Sequence, residues 1–186
     1  MAPKIKTTRE DIIKTAVEIV KTSGANVLGA RAVAGVLGCS TQPIFSNFQT
    51  MDDLRLAVVD EADRLCGEYI KREIEGGEYP PYKATGMAYI RFAKEEKQLF
   101  KLLYMRDRAK EKAPETTGFG DEIESMVQNN TGLSVQDARL FHLEMWAYVH
   151  GIATMFATGF LDLEWELVSK MLTDSYQGLK KQYEME

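Results

Sequence analysis

The segment Ala30–Leu54 constrains the fold more than any other part of the chain, because two short helical patterns in it flank a single glycine. The first pattern, Ala30–Leu37, brings its larger apolar side chains to one helical face; they are Val33, Val36 and Leu37. Gly38 follows at once, and glycine readily takes the left-handed conformation that ends a helix. We therefore predict a helix that ends at Leu37 and a tight turn at Gly38.

A second short helix is predicted after this turn. Ser40 is placed to cap it by accepting a hydrogen bond from an unpaired backbone N–H, and Pro43 falls in its first turn, where a missing N–H costs nothing. The apolar side chains expected to anchor this helix are Ile44, Phe45 and Phe48. The side chains left on its outer face are small, polar and uncharged: Thr41, Gln42, Ser46 and Asn47. The pattern as a whole predicts a helix-turn-helix.

These spacings resemble those of the DNA-binding domain of the tetracycline-repressor (TetR) family. The resemblance rests on Ala34 and Gly38 four residues apart, on the aromatic-x-x-Phe run Phe45–Phe48, and on a Thr-x-x-Asp start to the next helix. A weaker resemblance lies in Trp146–Gly151, which is similar to a W-x-x-x-H-G signature in the regulatory domain of some members. The family resemblance implies an all-α fold with a three-helix DNA-binding head, residues 1–50, joined by a long helix to an all-helical ligand-binding and dimerisation body, residues 51–186.

The resemblance also implies the DNA contacts. The predicted DNA-binding residues are Lys4, Lys6, Arg9, Arg31, Thr41, Gln42, Phe45, Ser46 and Asn47. Basic side chains at the start of the first helix are expected to reach phosphates, and the amides of Gln42 and Asn47 are able to pair with adenine in the major groove. Many members of the family carry a lysine where Met51 stands and a tyrosine where Phe45 stands, so two usual phosphate contacts are altered here.

The charge distribution favours the same interpretation, although the net charge of −5 does not. Residues 1–50 contain six basic and three acidic side chains, whereas the remainder contains 17 basic and 25 acidic ones. A basic head on an acidic body is typical of a protein that touches DNA with one end only.

The first helix is predicted to begin at a capping box formed by Thr7 and Glu10. A fourth helix is predicted to begin after Thr50 and to continue to about Glu75, which is longer than a three-helix head requires. Glycine and proline residues then break the chain. Further helices are predicted from Tyr82 to about Lys94, around Leu99–Met105, over Asp121–Asn130, from Ser134 to Gly159, and from Glu164 to about Tyr183, with a loop over Arg106–Gly120.

Aromatic and methionine side chains of the body are suited to line an apolar cavity, although most of them are expected to be core; the whole chain has nine methionines. The predicted ligand-binding residues are Phe92, Phe100, Tyr104, Trp146 and His150. Tyr104 and His150 stand out because each places a polar tip within an apolar stretch.

Composition argues against several other classes of protein. Met1–Glu10 has no apolar core of the kind a secretory signal needs, and the longest weakly polar stretch, Trp146–Leu161, is 16 residues against the roughly 20 of a membrane span. Cys39 and Cys66 form no CxxC pair, and neither stands at metal-ligand spacing from a histidine. We expect two buried thiols, no metal, no cofactor, no membrane contact and a cytoplasmic location.

The favoured function is a dimeric repressor that binds a palindromic DNA operator and releases it when a small apolar effector fills the body. Two alternatives remain at this point: a helical-bundle enzyme, and a protein-interaction module with a non-functional helix-turn-helix. The enzyme is disfavoured because neither His142 nor His150 follows a glutamate by three residues, as di-iron bundles require.

Overall fold

The computed structural model describes residues 7–106 and 120–184, and within them it contains nine α-helices, one short 3-10 helix and no strand. The helices are α1 Arg9–Ser23, α2 Ala30–Leu37, α3 Gln42–Asn47, α4 Met51–Gly76, α5 Pro81–Glu95, α6 Lys97–Tyr104, α7 Gly120–Thr131, α8 Val135–Thr158 and α9 Trp165–Glu184, with the 3-10 helix at Ala25–Val27. The all-α prediction is confirmed. Lys4, Lys6 and the interior of the predicted Arg106–Gly120 loop lie outside the described residues. No helix in the described ranges is both long and apolar enough to cross a bilayer.

Glycine and threonine end and begin several helices as the sequence predicts. Gly38 has φ +64° and ψ +31° after α2, and the next N–H, that of Cys39, donates to the Ala34 carbonyl at 3.0 Å. Thr50 caps α4, since its hydroxyl accepts from the Asp53 N–H at 3.1 Å while the Asp53 carboxylate accepts from the Thr50 N–H at 2.8 Å. Both ends are determined by contacts within three to five residues, which is why they can be read from the sequence.

Two predicted caps are wrong. The first helix is capped by Thr8 with Asp11, whose N–H donates to the Thr8 hydroxyl at 3.1 Å; the sequence offers two Thr-x-x-acid pairs one residue apart, so spacing alone does not choose between them. The predicted cap of α3 by Ser40 is absent, because Thr41 is the residue before α3 and no side chain caps it. Its carbonyl accepts the first backbone bonds of the helix, from Ile44 and Phe45 at 3.2 and 3.3 Å.

The first compact unit is the described part of Met1–Cys66 together with Glu96–Arg106. Its core contains apolar residues of α1 to α4, and α6 packs against α1. The Lys21 ammonium and the Glu96 carboxylate lie 2.8 Å apart at this contact. The unit therefore contains a helix, α6, that the proposed residue 1–50 head does not include, and the 1–50 and 51–186 boundary remains a prediction.

The second compact unit is Gly67–Glu95 together with the described part of Asp107–Glu186. Helix α5 packs against α8 and α9, and α7 packs against α8. Tyr82 and Tyr89, two turns apart on α5, reach α8: the Tyr82 hydroxyl lies 3.1 Å from His142 Nδ1 and the Tyr89 hydroxyl lies 2.8 Å from His150 Nδ1. These two pairs set the register between α5 and α8.

Candidate DNA-binding face and ligand cavity

Helix α3 is held against the first unit by two side chains and leaves the rest of its surface open. Ile44 is fully buried and Phe48 is 3% exposed, whereas Gln42, Phe45 and Ser46 are exposed. The prediction that Phe45 anchors the helix is wrong, since 49% of its surface is exposed. Phe45 instead lies on the solvent side of α3, where a DNA-contacting side chain would have to lie.

The face of α2 also differs from the prediction. Val33 and Ala34 are buried, but Val36 is 68% exposed. A helix of eight residues has only about two turns, so one narrow side of it is buried. In α2 this side carries Val33 and Ala34, and Val36 lies outside it.

The two amide side chains predicted on the outer face of α3, those of Gln42 and Asn47, differ in burial and in hydrogen bonding. The Asn47 side-chain nitrogen donates to the Pro43 carbonyl at 2.8 Å and is half-buried, and the Ser46 hydroxyl donates to the Gln42 carbonyl at 2.9 Å. The Gln42 side chain is exposed in the first turn of α3. One of the two N–H donors of the Asn47 amide is therefore bonded within the helix, which fixes the orientation of this side chain, whereas the Gln42 amide is exposed.

Two of the predicted basic contacts belong to the described residues. The Arg9 guanidinium lies over the Phe48 ring, 4.8 Å from its centroid, which brings this cation to the C-terminal end of α3. Arg31 is exposed in the first turn of α2. Both positive charges are therefore at the surface of the unit that contains α3.

The second unit contains a cavity of about 360 Å³ between α5, α8 and α9. Its lining residues have different exposures. The apolar and aromatic ones are mostly buried, as for Tyr82, Tyr89, Met145, Val149 and Leu172, whereas the polar ones include exposed residues, as for Thr173 and Gln177. The cavity is thus mainly apolar inside, where Thr85 and His142 are buried polar residues of its lining, and polar at its mouth.

Gly86 creates part of this space. A methyl group built on Gly86 would lie 3.0 Å from the Leu172 side chain and 3.4 Å from that of Val149, so any larger residue would fill the gap between α5 and its two neighbours. Gly86 itself lines the cavity.

The cavity wall is nearly free of charge. Burial lowers the pKa of His142, although Glu124 acts in the opposite direction, and burial also lowers the pKa of His150. Both imidazoles are therefore neutral at pH 7. Burial likewise raises the pKa of the Tyr82 hydroxyl above its usual value, which leaves it protonated.

The predicted ligand-binding residues do not form one group. Trp146 lines the cavity, whereas His150 is outside the lining and its ring stacks on that of Trp146 with 5.0 Å between centroids. Phe92 is fully buried against Tyr69 in the same unit and is outside the lining. Phe100 and Tyr104 belong to the first unit, where the Tyr104 hydroxyl lies 3.8 Å from the Cys66 sulfur.

Several lining residues were missed by the sequence analysis. They are Tyr82, Lys83, Tyr89, Met145, Thr173 and Tyr176. Tyr82 and Tyr89 are seven residues apart on α5, a spacing that places them on one face, but the sequence does not say which helix this face meets.

Comparison with family models finds a match to the family described as "Tetracyclin repressor-like, C-terminal domain" over residues 82–174, which is half of the chain. Among solved structures, the multidrug binding protein EbrR complexed with imidazole has a TM-score of 0.57 at 19% identity, covering 90% of this chain and 88% of EbrR. A TetR-family member from Streptomyces coelicolor A3 has a TM-score of 0.59 at 18% identity, covering 90% of this chain and 96% of that one. Both likenesses concern the fold. Comparison with curated proteins finds no match.

Proposed function

Because the chain belongs to the tetracycline-repressor family of transcriptional regulators, we propose that it is a homodimeric repressor whose operator affinity is controlled by a small molecule bound in the second unit. The observation that carries the proposal is the cavity of about 360 Å³ in one unit of a chain whose other unit exposes the outer face of a helix-turn-helix. Neither an enzyme nor an interaction module accounts for both features together.

Operator binding is assigned to α3 and to the basic residues near it. Gln42 would enter the major groove, and Arg9 and Arg31 would contact phosphates, while Lys4 and Lys6 stay predicted phosphate contacts. Residues 1–50 carry three more positive than negative charges and the rest of the chain carries a net −8, so phosphate attraction favours an approach by this end.

A homodimer is proposed because one recognition helix reads one half-site, and a two-fold axis in the protein matches a palindromic site. Support comes from apolar side chains left exposed on α8 at helical spacing, among them Leu140 and Leu143, which are 49% and 42% exposed. Ala147 and Gly151 continue the same stripe and are small enough for a close approach of a second copy. Recognition helices of the two copies would then lie roughly 34 Å apart.

The effector is assigned to the cavity, with Trp146 in contact with it and His150 supporting the Trp146 ring. An effector lowers operator affinity only if it binds the conformation that does not fit DNA more tightly than the conformation that does. Helix α4 is the candidate for transmission, because it is continuous from Met51, close to α3 in sequence, to Gly76 in the second unit. We propose that effector binding tilts or shifts this helix and changes the separation of the heads. The loop predicted over Arg106–Gly120, whose interior lies outside the described residues, is the proposed gate of the ligand site.

The test begins with purified protein and a pool of random duplexes. Repeated selection should enrich a palindromic sequence, and its binding, followed by fluorescence anisotropy, should weaken steeply with salt, because phosphate contacts release counterions. A thermal-shift screen of small molecules should then find effectors that release this duplex. Failure to enrich any sequence would contradict the regulator, and turnover of a screened compound would favour the enzyme.

Cavity variants give a second test. Trp146→Phe and His150→Gln should weaken the response to an effector and leave operator binding without effector nearly unchanged. Loss of operator binding in the absence of effector would make these residues structural and would contradict their assignment.

A further inference from the structure

The cavity lining carries one positive charge and no negative one among the described residues. Lys83 is the charged member of the lining, and no Asp or Glu contributes to it. This imbalance is informative because a charge near an apolar cavity is costly unless it is paired or serves a ligand.

Lys83 is held in place by hydroxyl groups. Its ammonium donates to the Ser169 hydroxyl at 2.7 Å and to the Thr173 hydroxyl at 2.8 Å, and it lies 5.0 Å from the centroid of the Tyr79 ring. Hydroxyls orient an ammonium without neutralising it, and an ammonium has three protons to donate. Burial lowers the pKa of Lys83, and the charge of Glu78 acts in the opposite direction.

The position of Lys83 relative to the apolar part of the lining defines an amphipathic site. Lys83 is half-buried beside Thr173 and Gln177, which are exposed, whereas Met145, Val149 and Leu172 are buried. A ligand in this cavity therefore meets the ammonium at the mouth and the apolar side chains further in.

Aromatic rings in the lining would by themselves attract a cation, so the two effects must be compared. Attraction to a ring face operates within about 6 Å of its centroid. Repulsion between two full positive charges falls only with the first power of their separation and is strengthened where water is excluded. Because no lining carboxylate offsets Lys83, the lysine determines the preferred sign of the ligand.

We propose that the effector is a small apolar acid, whose carboxylate is bound by Lys83 at the mouth and whose apolar body lies against Met145, Val149 and Leu172. The inference rests on the proposed function, since it names the ligand class of that same cavity. A volume of about 360 Å³ lies at the lower end of the usual range for ligand pockets, which fits a body of about two fused rings.

The test compares three probes of the same shape and different charge on the wild-type protein: 2-naphthoate, 2-naphthamide and 2-naphthylmethylammonium. Isothermal titration should give the tightest binding for the acid, binding of the amide at least about tenfold weaker, and the weakest for the ammonium. The amide still accepts a hydrogen bond from the ammonium but lacks the attraction between two full charges, and the cationic probe is repelled by Lys83. Tighter or equal binding of the amide or the ammonium would overturn the proposal, as would the absence of acid binding.

Variants then assign the preference to one residue. Lys83→Gln should lower affinity for 2-naphthoate by about tenfold, because the donor loses its charge. It should lower affinity for the amide much less, because the glutamine side chain still donates a hydrogen bond to a neutral oxygen. Lys83→Arg should retain the preference for the acid. The matched control is Lys94→Gln on the same helix, whose ammonium pairs with Asp162 outside the lining and which should bind all three probes as the wild type does. An acid preference that survives in folded Lys83→Gln, checked by circular dichroism, would overturn the role of Lys83.

Operator binding measured in parallel separates this inference from the function on which it rests. If an acid binds through Lys83 without changing duplex affinity, the proposed ligand class is supported and the proposed regulatory function is contradicted. If a cation binds in the cavity more tightly than the acid and releases the duplex, the proposed regulatory function is supported and the proposed ligand class is overturned.

Discussion

At the scale of single residues, two glycines in one segment have opposite roles. Gly38 has φ +64°, a conformation that side chains with a Cβ disfavour. Gly35 lies inside α2, and nothing lies within 4 Å of a Cβ built there. One glycine is required by the backbone and the other weakens its helix through its conformational freedom.

Substitution of these glycines by alanine should therefore change stability in opposite directions. Gly38→Ala should lower the free energy of unfolding by about 1–2 kcal/mol, because alanine is strained in the left-handed region. Gly35→Ala should raise it by about 0.5–1 kcal/mol, because alanine loses less entropy in a helix. Urea denaturation measures both, and a change of the same sign in the two variants would contradict this account of the turn.

The two amides of α3 lead to a second prediction at this scale. Gln42→Ala should relax preference at one base pair by about 1–3 kcal/mol while leaving nonspecific binding nearly unchanged. Asn47→Ala should instead lower stability by about 1 kcal/mol, because it removes the hydrogen bond to the Pro43 carbonyl. Operator variants and thermal unfolding, measured on both proteins, distinguish the roles; an equal loss of affinity on all sequences would make Gln42 a backbone contact.

At the scale of elements, α4 is the helix on which communication depends. It has 26 residues, and the division between the two compact units falls inside it, between Cys66 and Gly67. A Cβ at Gly67 would meet nothing within 4 Å, so substitutions there test the helix backbone and not side-chain packing.

A proline at this position should uncouple the effector from DNA. Gly67→Pro removes one backbone hydrogen bond of α4 and clashes with the preceding turn, at a cost of about 3 kcal/mol. Operator binding and effector binding should both persist, but the effector should no longer release the duplex. Gly67→Ala is the control, and it should strengthen α4 and retain release. Normal release by the folded proline variant would show that α4 does not transmit the signal.

At the scale of the whole molecule, the open question is assembly. Helix α8 exposes the apolar side chains of Leu140, Leu143 and Ala147 in one stripe, which continues at the half-buried Gly151. A stable interface of standard size covers roughly 800 Å² on each partner. A stripe of this kind is commonly a protein contact, since monomers rarely leave large apolar patches in water.

A charge placed in this stripe should dissociate the dimer. Leu143→Glu should give a monomer in light scattering at micromolar concentration, because a carboxylate buried at an apolar two-fold contact appears twice and remains unpaired. Operator affinity should fall with it, since each monomer reads one half-site. Leu56→Glu is the control, because Leu56 is similarly exposed, at 57%, but belongs to the first unit. A dimeric Leu143→Glu protein would place the interface elsewhere.

The sequence by itself determined the features that depend on neighbours a few residues away. The turn at Gly38, the start of α4 at Thr50, and the ends of α8 at Ser134 and Gly159 all follow from local hydrogen bonds and were predicted. The family resemblance rests mainly on the spacing within Ala30–Leu54, and the family is confirmed by a match to a different part of the chain, residues 82–174.

Only the tertiary structure decided which helices meet and which side chains reach the cavity. The Tyr82–His142 bond joins residues 60 positions apart, and the Lys83–Ser169 bond joins residues 86 positions apart. Tyr104 is an example: its polar tip in an apolar stretch predicts a ligand contact, but only the structure shows that its helix, α6, packs against α1 in the first unit. A helical period identifies the face that will be buried, but the partner of that face depends on packing between distant segments, which no short pattern encodes.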